Sequence, residues 1–208
     1  MRRFTATERR IIRRHGTPSS VQDWIRRMPY NFERHGRTMR SFRGVVRHGT
    51  AHCLEAALAA AAILEQHGYP PLLLDLESQD RLDHVVFAFR QGGRWGAVGA
   101  SRDQGLFGRR PVYRSPGALA RSYYAPYIDL AARLQAYAVV DLRSLAGCDW
   151  CLSERNVWKV ERFLIEHPHR PLATGDAQYR RMRERYRRFL RRHPSTATPF
   201  THGRRNWL

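Results

Sequence analysis

Lysine is almost missing from this sequence. Lys159 stands alone beside 36 arginines in 208 residues, so any basic surface is built of planar guanidinium forks, which suit phosphates and carboxylates, rather than compact ammonium groups. A GC-rich genome produces the same bias, so arginine alone assigns no polyanionic partner. Cysteine is scarce too. Three cysteines, an odd number, exclude a complete internal disulfide framework and fit a reducing compartment. Long apolar runs are absent. The longest, Ala56–Leu64, covers nine residues, less than half of what a membrane span requires, and the opening MRRFTATERRIIRR contains no apolar segment of a secretory signal. The expectation is a soluble, cytoplasmic protein with no membrane partner.

Acidic residues are outnumbered 18 to 37, for a formal charge of +19. That excess is not spread evenly. Residues 1–50 hold 13 arginines against three acids and residues 175–208 hold ten against two, whereas the 124 residues between them are nearly balanced. A chain built throughout for nucleic acid would carry its charge through the middle as well. The ends could dock an acidic protein or bind nucleic acid non-specifically. Hydrophobic residues make up 42% and aromatic residues 11%, enough for a packed core in one domain of this length.

Periodicity predicts the order of elements. Ser20, with Asp23 three residues on, opens a helix whose apolar positions are Val21, Trp24, Ile25 and Met28. PYNFERHGRTMRSFRG then reads as irregular chain. A long helix follows from about His52 to Gln66, closed by Gly68 and by Pro70-Pro71. Its interior AALAAAAIL combines high helix propensity with small side chains, so neighbouring backbones can approach closely. This predicts a central helix covered on several sides. Strands are predicted at 71–77, 83–90, 94–98 and 135–142, the second and third joined by a glycine hairpin loop. Ser153 is expected to cap a helix running to about His167. The last helix, DAQYRRMRERYRRFLRRH, places Tyr179, Met182, Tyr186 and Phe189 on one stripe and arginine elsewhere. The fold class is α+β. The organisation is a single domain, with a basic helical extension over 1–46, a core over 47–145 and a basic helical region over 146–208 packed on that core.

Cys53 is the residue that raises a question of chemistry. It opens the most apolar helix of the chain, where unpaired backbone N–H groups favour thiolate over thiol. A nucleophile needs a base within reach and the base needs an orienting partner. His84 begins the second strand, so it lies at the rim of a sheet where the mouth of a packed helix can meet it. His52, adjacent to the cysteine, is a rival base, ranked lower because neighbouring side chains at a helix start point apart. The bland reading of His84 is a strand-end histidine bonded to Asp80 or Asp83. For Glu55 it is a surface or capping residue of the first turn.

Three stretches, AHCLEAAL, DHVVFAF and GRWGAV, in this order resemble the transglutaminase-like (papain-like) cysteine enzymes, and the longer run around them is similar to a bacterial branch of that superfamily. The resemblance covers roughly residues 47–103. It implies a transglutaminase-like core in which a central cysteine-bearing helix packs on a small antiparallel sheet, with helices flanking it at both ends. It implies Cys53 as nucleophile, His84 as general base and then acid, and the Cys53 backbone N–H as one oxyanion donor, with a peptide or protein amide as substrate and no cofactor or metal. The family's acid falls four residues after the tryptophan, which here is Gly99. Asp103 is the nearest acid and Ser101 a possible substitute. No second oxyanion donor is evident, although Gln22 and Asn31 are amides upstream of Cys53. The implied activity is thiol-dependent acyl transfer, as a peptidase, amidase or transglutaminase. The alternative is an inactive scaffold of the same fold that binds a protein or polyanion through its basic ends.

Two further motifs have plain readings beside functional ones. Cys148-Asp-Trp-Cys151 is half a zinc site or a redox pair in form, and His167 and His169 follow it, but these histidines are one residue apart, so packing is preferred. The tyrosines of SYYAPYIDL could line a substrate groove, and an aromatic core edge is the preferred reading.

Overall fold

The computed structural model describes residues 3–80, 83–129, 132–194 and 204–208. Its elements in chain order are α1 (Ala6–Arg14), α2 (Pro18–Arg26), α3 (Phe42–His48), α4 (Cys53–Glu65), β1 (Leu72–Ser78), β2 (His84–Gln91), β3 (Arg94–Val98), β4 (Arg109–Tyr113), α5 (Pro116–Arg121), α6 (Tyr124–Asp129), β5 (Leu134–Asp141), α7 (Trp158–Glu166), β6 (Arg170–Pro171) and α8 (Asp176–Arg192). The architecture is α+β. The strands form one antiparallel sheet in the order β4-β3-β2-β1-β5-β6. No helix among the described residues is long and apolar enough to cross a membrane.

Alternation along the strands gives the sheet two apolar faces. Val85, Phe87 and Phe89 of β2 join Leu73 and Val140 in a core completed by α1–α4 and α7. Val86 and Ala88 face the other way, with Leu74 and Leu76, into a second core made with α5 and α6. Tyr179, Met182 and Tyr186 of α8 pack against this second core, as the stripe in the sequence predicts, while Phe189 pairs with the His193 ring at 4.7 Å. Helix α4 is the centre of the first core, and every residue from Leu54 to Leu64 is buried. Its large side chains Leu54, Leu58, Ile63 and Leu64 each contribute about 1.5–3 kcal/mol by leaving water. Its alanines let β2, α2 and α3 approach it closely. The N-terminal segment is part of this core, since Ile12, Val21, Ile25, Phe42 and Val45 are buried in it.

Several local expectations are corrected. Helix α2 begins at Pro18, not at Ser20, because Thr17 is the cap. Thr17 and Ser20 each accept the other's backbone N–H with their hydroxyl oxygens, and proline fits the first turn. The stretch read as irregular ends in α3, which is capped by Ser41 and closed by Gly49. Ser153 does not cap α7, which starts at Trp158. Asn156 and Val157 instead bond the backbone of Met39, through its N–H at 3.0 Å and its carbonyl at 2.7 Å. The short strands β4 and β6 escape sequence reading because they carry arginine and proline rather than alternating apolar residues. Pro111 is tolerated because β4 is an edge. The hairpin between β2 and β3 is as expected: Gly92 and Gly93 both have positive φ, 55° and 74°, which suits a two-residue loop.

Candidate active site

Helix α4 delivers Cys53 at its first turn, and the segment before it is fixed from two sides. Ala51 forms a parallel bridge with Tyr30, where the Asn31 N–H donates to the Ala51 carbonyl at 3.1 Å. His52 is the helix cap, and its backbone N–H donates to Glu55 Oε2 at 3.1 Å. Glu55 is therefore a capping residue but not a surface one. It is fully buried, and its carboxylate also accepts from Asn31 Nδ2, from Thr38 Oγ1 at 2.7 Å and from the Arg40 N–H at 3.0 Å. Burial would push its carboxyl up, but the charge of His52 and the bonds from Asn31 and Thr38 hold it below the usual range.

His84, the first residue of β2, meets Cys53 at the rim of the sheet. The His52 and His84 imidazoles both act on the thiol. Each ring is anchored by its Nε2 on a backbone carbonyl: Leu106 for His84 at 2.8 Å and Thr38 for His52 at 3.0 Å. A carbonyl can only accept, so each Nε2 carries a proton, and Nδ1 is the nitrogen of the His84 ring left to take one. Burial alone would raise the Cys53 thiol, but the two imidazoles override it and bring it down to about 5. For His52, burial opposes the charge. The Cys53 sulfur and the Glu55 carboxylate outweigh it and lift the ring to about 9. The resting pair near neutral pH is thiolate beside imidazolium, with Glu55 behind it. The expectation that His52 points away from its neighbour is corrected: as the cap residue it lies outside the helix, so helical side-chain spacing does not apply to it.

The orienting partner of His84 is the Leu106 carbonyl, not Asp103 or Ser101. Asp103 lines the same cavity, but its carboxylate accepts the Gly105 N–H at 2.7 Å and its own N–H donates to Ser101 Oγ at 3.1 Å. Both residues shape the turn that leads into the short 3-10 segment Gln104–Leu106. Buried Arg109 holds this loop from below: its guanidinium donates to the carbonyls of Gly105 at 2.6 Å and Phe107 at 2.7 Å and lies 4.1 Å from the Tyr123 ring centre. Gly99, where the resemblance would put an acid, has no room for one. A Cβ there would stand 2.6 Å from Val86 Cγ1, and Gln22 brackets the residue, accepting its N–H at 3.0 Å and donating to its carbonyl at 2.9 Å. Neither upstream amide is therefore an oxyanion donor: Gln22 is committed to Gly99, and Asn31 Nδ2 donates to Thr38 and Glu55.

Cys53 lies between two hollows. One, of about 390 Å³, opens to solvent and is lined by Tyr30, Asp83, His84, Ser101 and Arg102 with the thiol. The other, of about 180 Å³, is lined by His52 and Cys53, by the apolar Met39, Leu54, Val85, Leu164 and Ile165, and by the acidic Asp75, Asp83 and Glu161. Tyr123 and Tyr127 of the tyrosine-rich stretch are buried in the second core rather than lining either hollow. The sequence matches no family model and no curated protein significantly, so the site is read from its geometry.

The other two cysteines are thiols in a different setting. His169, which could have completed a metal site with them, bonds Asp75 Oδ2 through Nε2 at 3.1 Å and the His167 carbonyl through Nδ1, and the His167 ring packs on Phe163. Among the described residues no group of three or more His, Cys, Asp or Glu is arranged to hold a metal ion.

Proposed function

We propose that the chain is a thiol-dependent acyl-transfer enzyme of transglutaminase-like type, acting on amide or ester carbonyls through a Cys53 thioester. The observation that carries this reading is a single one: a thiol at a helix N-terminus, interacting with two anchored imidazoles and lining a hollow open to solvent. Structural cysteines are inert because burial keeps them protonated, whereas here the environment favours the charged nucleophile.

In this mechanism the Cys53 thiol proton passes to His84 Nδ1, the sulfur attacks the carbonyl carbon, and the carbonyl π pair moves onto oxygen. When that pair returns, the carbon–nitrogen or carbon–oxygen bond breaks and the leaving group takes a proton from His84 Nδ1. Water then attacks the thioester and gives its proton back to His84, and the sulfur departs as thiolate. An amine could replace water in the second half. Hydrolysis is the reading preferred, since the hollow is open to water. The Leu106 carbonyl keeps His84 in the tautomer this cycle requires, and His52 with Glu55 stabilises the thiolate. Gly99 is the feature that speaks for a non-catalytic scaffold, and the Leu106 carbonyl supplies the orientation that a side chain at Gly99 would have given.

The test is a burst of p-nitrophenol from a p-nitrophenyl ester, with mass spectrometry of the intact protein. The expected result is one acyl adduct mapped to Cys53, absent in Cys53→Ala. Wild-type protein that gives neither burst nor adduct would sink the proposal.

A further inference from the structure

The developing oxyanion of such a reaction needs two donors. The Cys53 backbone N–H is one, and the amides that sequence reading considered for the second are both committed elsewhere. Tyr30 fits the place. Its backbone is bridged to Ala51, two residues before the nucleophile, and its ring is braced edge-on by Phe32 at 5.2 Å. It lines the same hollow as Cys53 and His84, and the Cys53 backbone N–H is among the groups acting on its phenol. Ser101, the other hydroxyl of that hollow, is tied into the loop by the Asp103 N–H.

We propose that Tyr30 is a catalytic residue, its hydroxyl donating beside the Cys53 N–H to the oxygen of the tetrahedral intermediate. The proposal rests on the acyl-transfer reading. Before substrate binds, the Cys53 N–H acts on the phenol. An arriving carbonyl oxygen takes over that N–H, and the phenol proton turns about the C–O bond to meet it. A donor next to a thiolate must not ionise. Burial, and then the charge of Cys53, push the Tyr30 phenol up to about 12, which keeps its proton in place at every pH where the thiolate works.

Tyr30→Phe removes only the oxygen, so the experiment compares two reactions at one sulfur. Alkylation by iodoacetamide builds no oxyanion, while acylation by a p-nitrophenyl ester does. The expected outcome is an alkylation rate within twofold of wild type and an acylation rate lower by about 100-fold. Acylation unchanged in Tyr30→Phe, with a normal wild-type burst, overturns the role of Tyr30 alone. An equal fall in both rates also overturns it, because Tyr30 would then act only by positioning the sulfur. A wild type that is alkylated at Cys53 but never acylated removes the acyl-transfer reading and the Tyr30 role with it.

Discussion

Cys53 and the Cys148–Cys151 pair are the same side chain in opposite surroundings. Cys53 stands at the start of α4 with two imidazoles on its sulfur, and its thiol is brought down to about 5 despite burial. Cys148 sits in the loop before α7, where burial raises its thiol and the charge of Lys159 offsets only part of that. Cys151 is wholly buried in the first core. Burial acts in the same direction on Cys53 and Cys148, so what separates them is the supply of fixed imidazoles. At Cys53 these rings are themselves held: His84 by Leu106, and His52 by Thr38 and by Glu55. The lesson is that a nucleophile is built from the groups behind its partners as much as from the partners.

The contrast can be broken most sharply at His84. His84→Ala is expected to lower ester turnover by about 10²–10⁴-fold, the range for loss of a general acid–base, and stopped-flow release of p-nitrophenol reads it. Glu55 comes next. Glu55→Ala strips the buried carboxylate from His52, Asn31, Thr38 and Arg40 and is expected to cost roughly 3–5 kcal/mol in urea unfolding, the cost of breaking a buried charge pair. A cost below 1 kcal/mol would mean the network is decorative.

Labelling then measures the contrast itself. At pH 7 Cys53 should react with iodoacetamide roughly 10–100-fold faster than Cys148, a gain in thiolate fraction partly offset by the lower nucleophilicity of a more acidic thiol. The sign with pH follows from the direction of each shift. Thiolate forms as pH rises through the thiol's pKa, so a lowered pKa moves the onset of Cys53 labelling toward acid, to about pH 5. The raised pKa of Cys148 moves its onset to alkaline pH. His52→Ala should shift the Cys53 onset upward, and peptide mapping across pH 4–10 would erase the contrast if all three cysteines labelled alike.

The smallest effect is expected at Gly99. Gly99→Ala forces a methyl against Val86, at a distance of 2.6 Å before relaxation, and should destabilise the fold by about 1–3 kcal/mol with ester turnover only modestly reduced. Thermal unfolding and the ester assay read the two separately.

Much of the scaffold was legible along the chain. The alanine-rich interior of α4, the glycine pair of the hairpin and the tyrosine–methionine stripe of α8 are patterns of period and propensity that need no distant partner to be read. Cys53 at a helix mouth and His84 at a strand start were legible for the same reason. The orienting group was not, because a backbone carbonyl has no signature: any residue could have supplied the oxygen that Leu106 supplies. Tyr30 was missed because it lies in PYNFERHGRTMRSFRG, a stretch without periodicity, and only its bridge to Ala51 carries it to the thiol. The nearest available signal was the aromatic residue in the short PYN segment, and that is weak.

The sequence by itself determined which segments are helix and strand at the centre of the chain, and which two side chains stand at their ends, since both follow from local spacing and propensity. Tertiary structure alone decided that His52 shares the sulfur, that Glu55 is buried behind it, and that a carbonyl replaces an acid in holding His84. Those outcomes depend on contacts between residues 14 to 24 positions apart and on packing that leaves no room for a side chain at Gly99, and neither is written in any local pattern of residues.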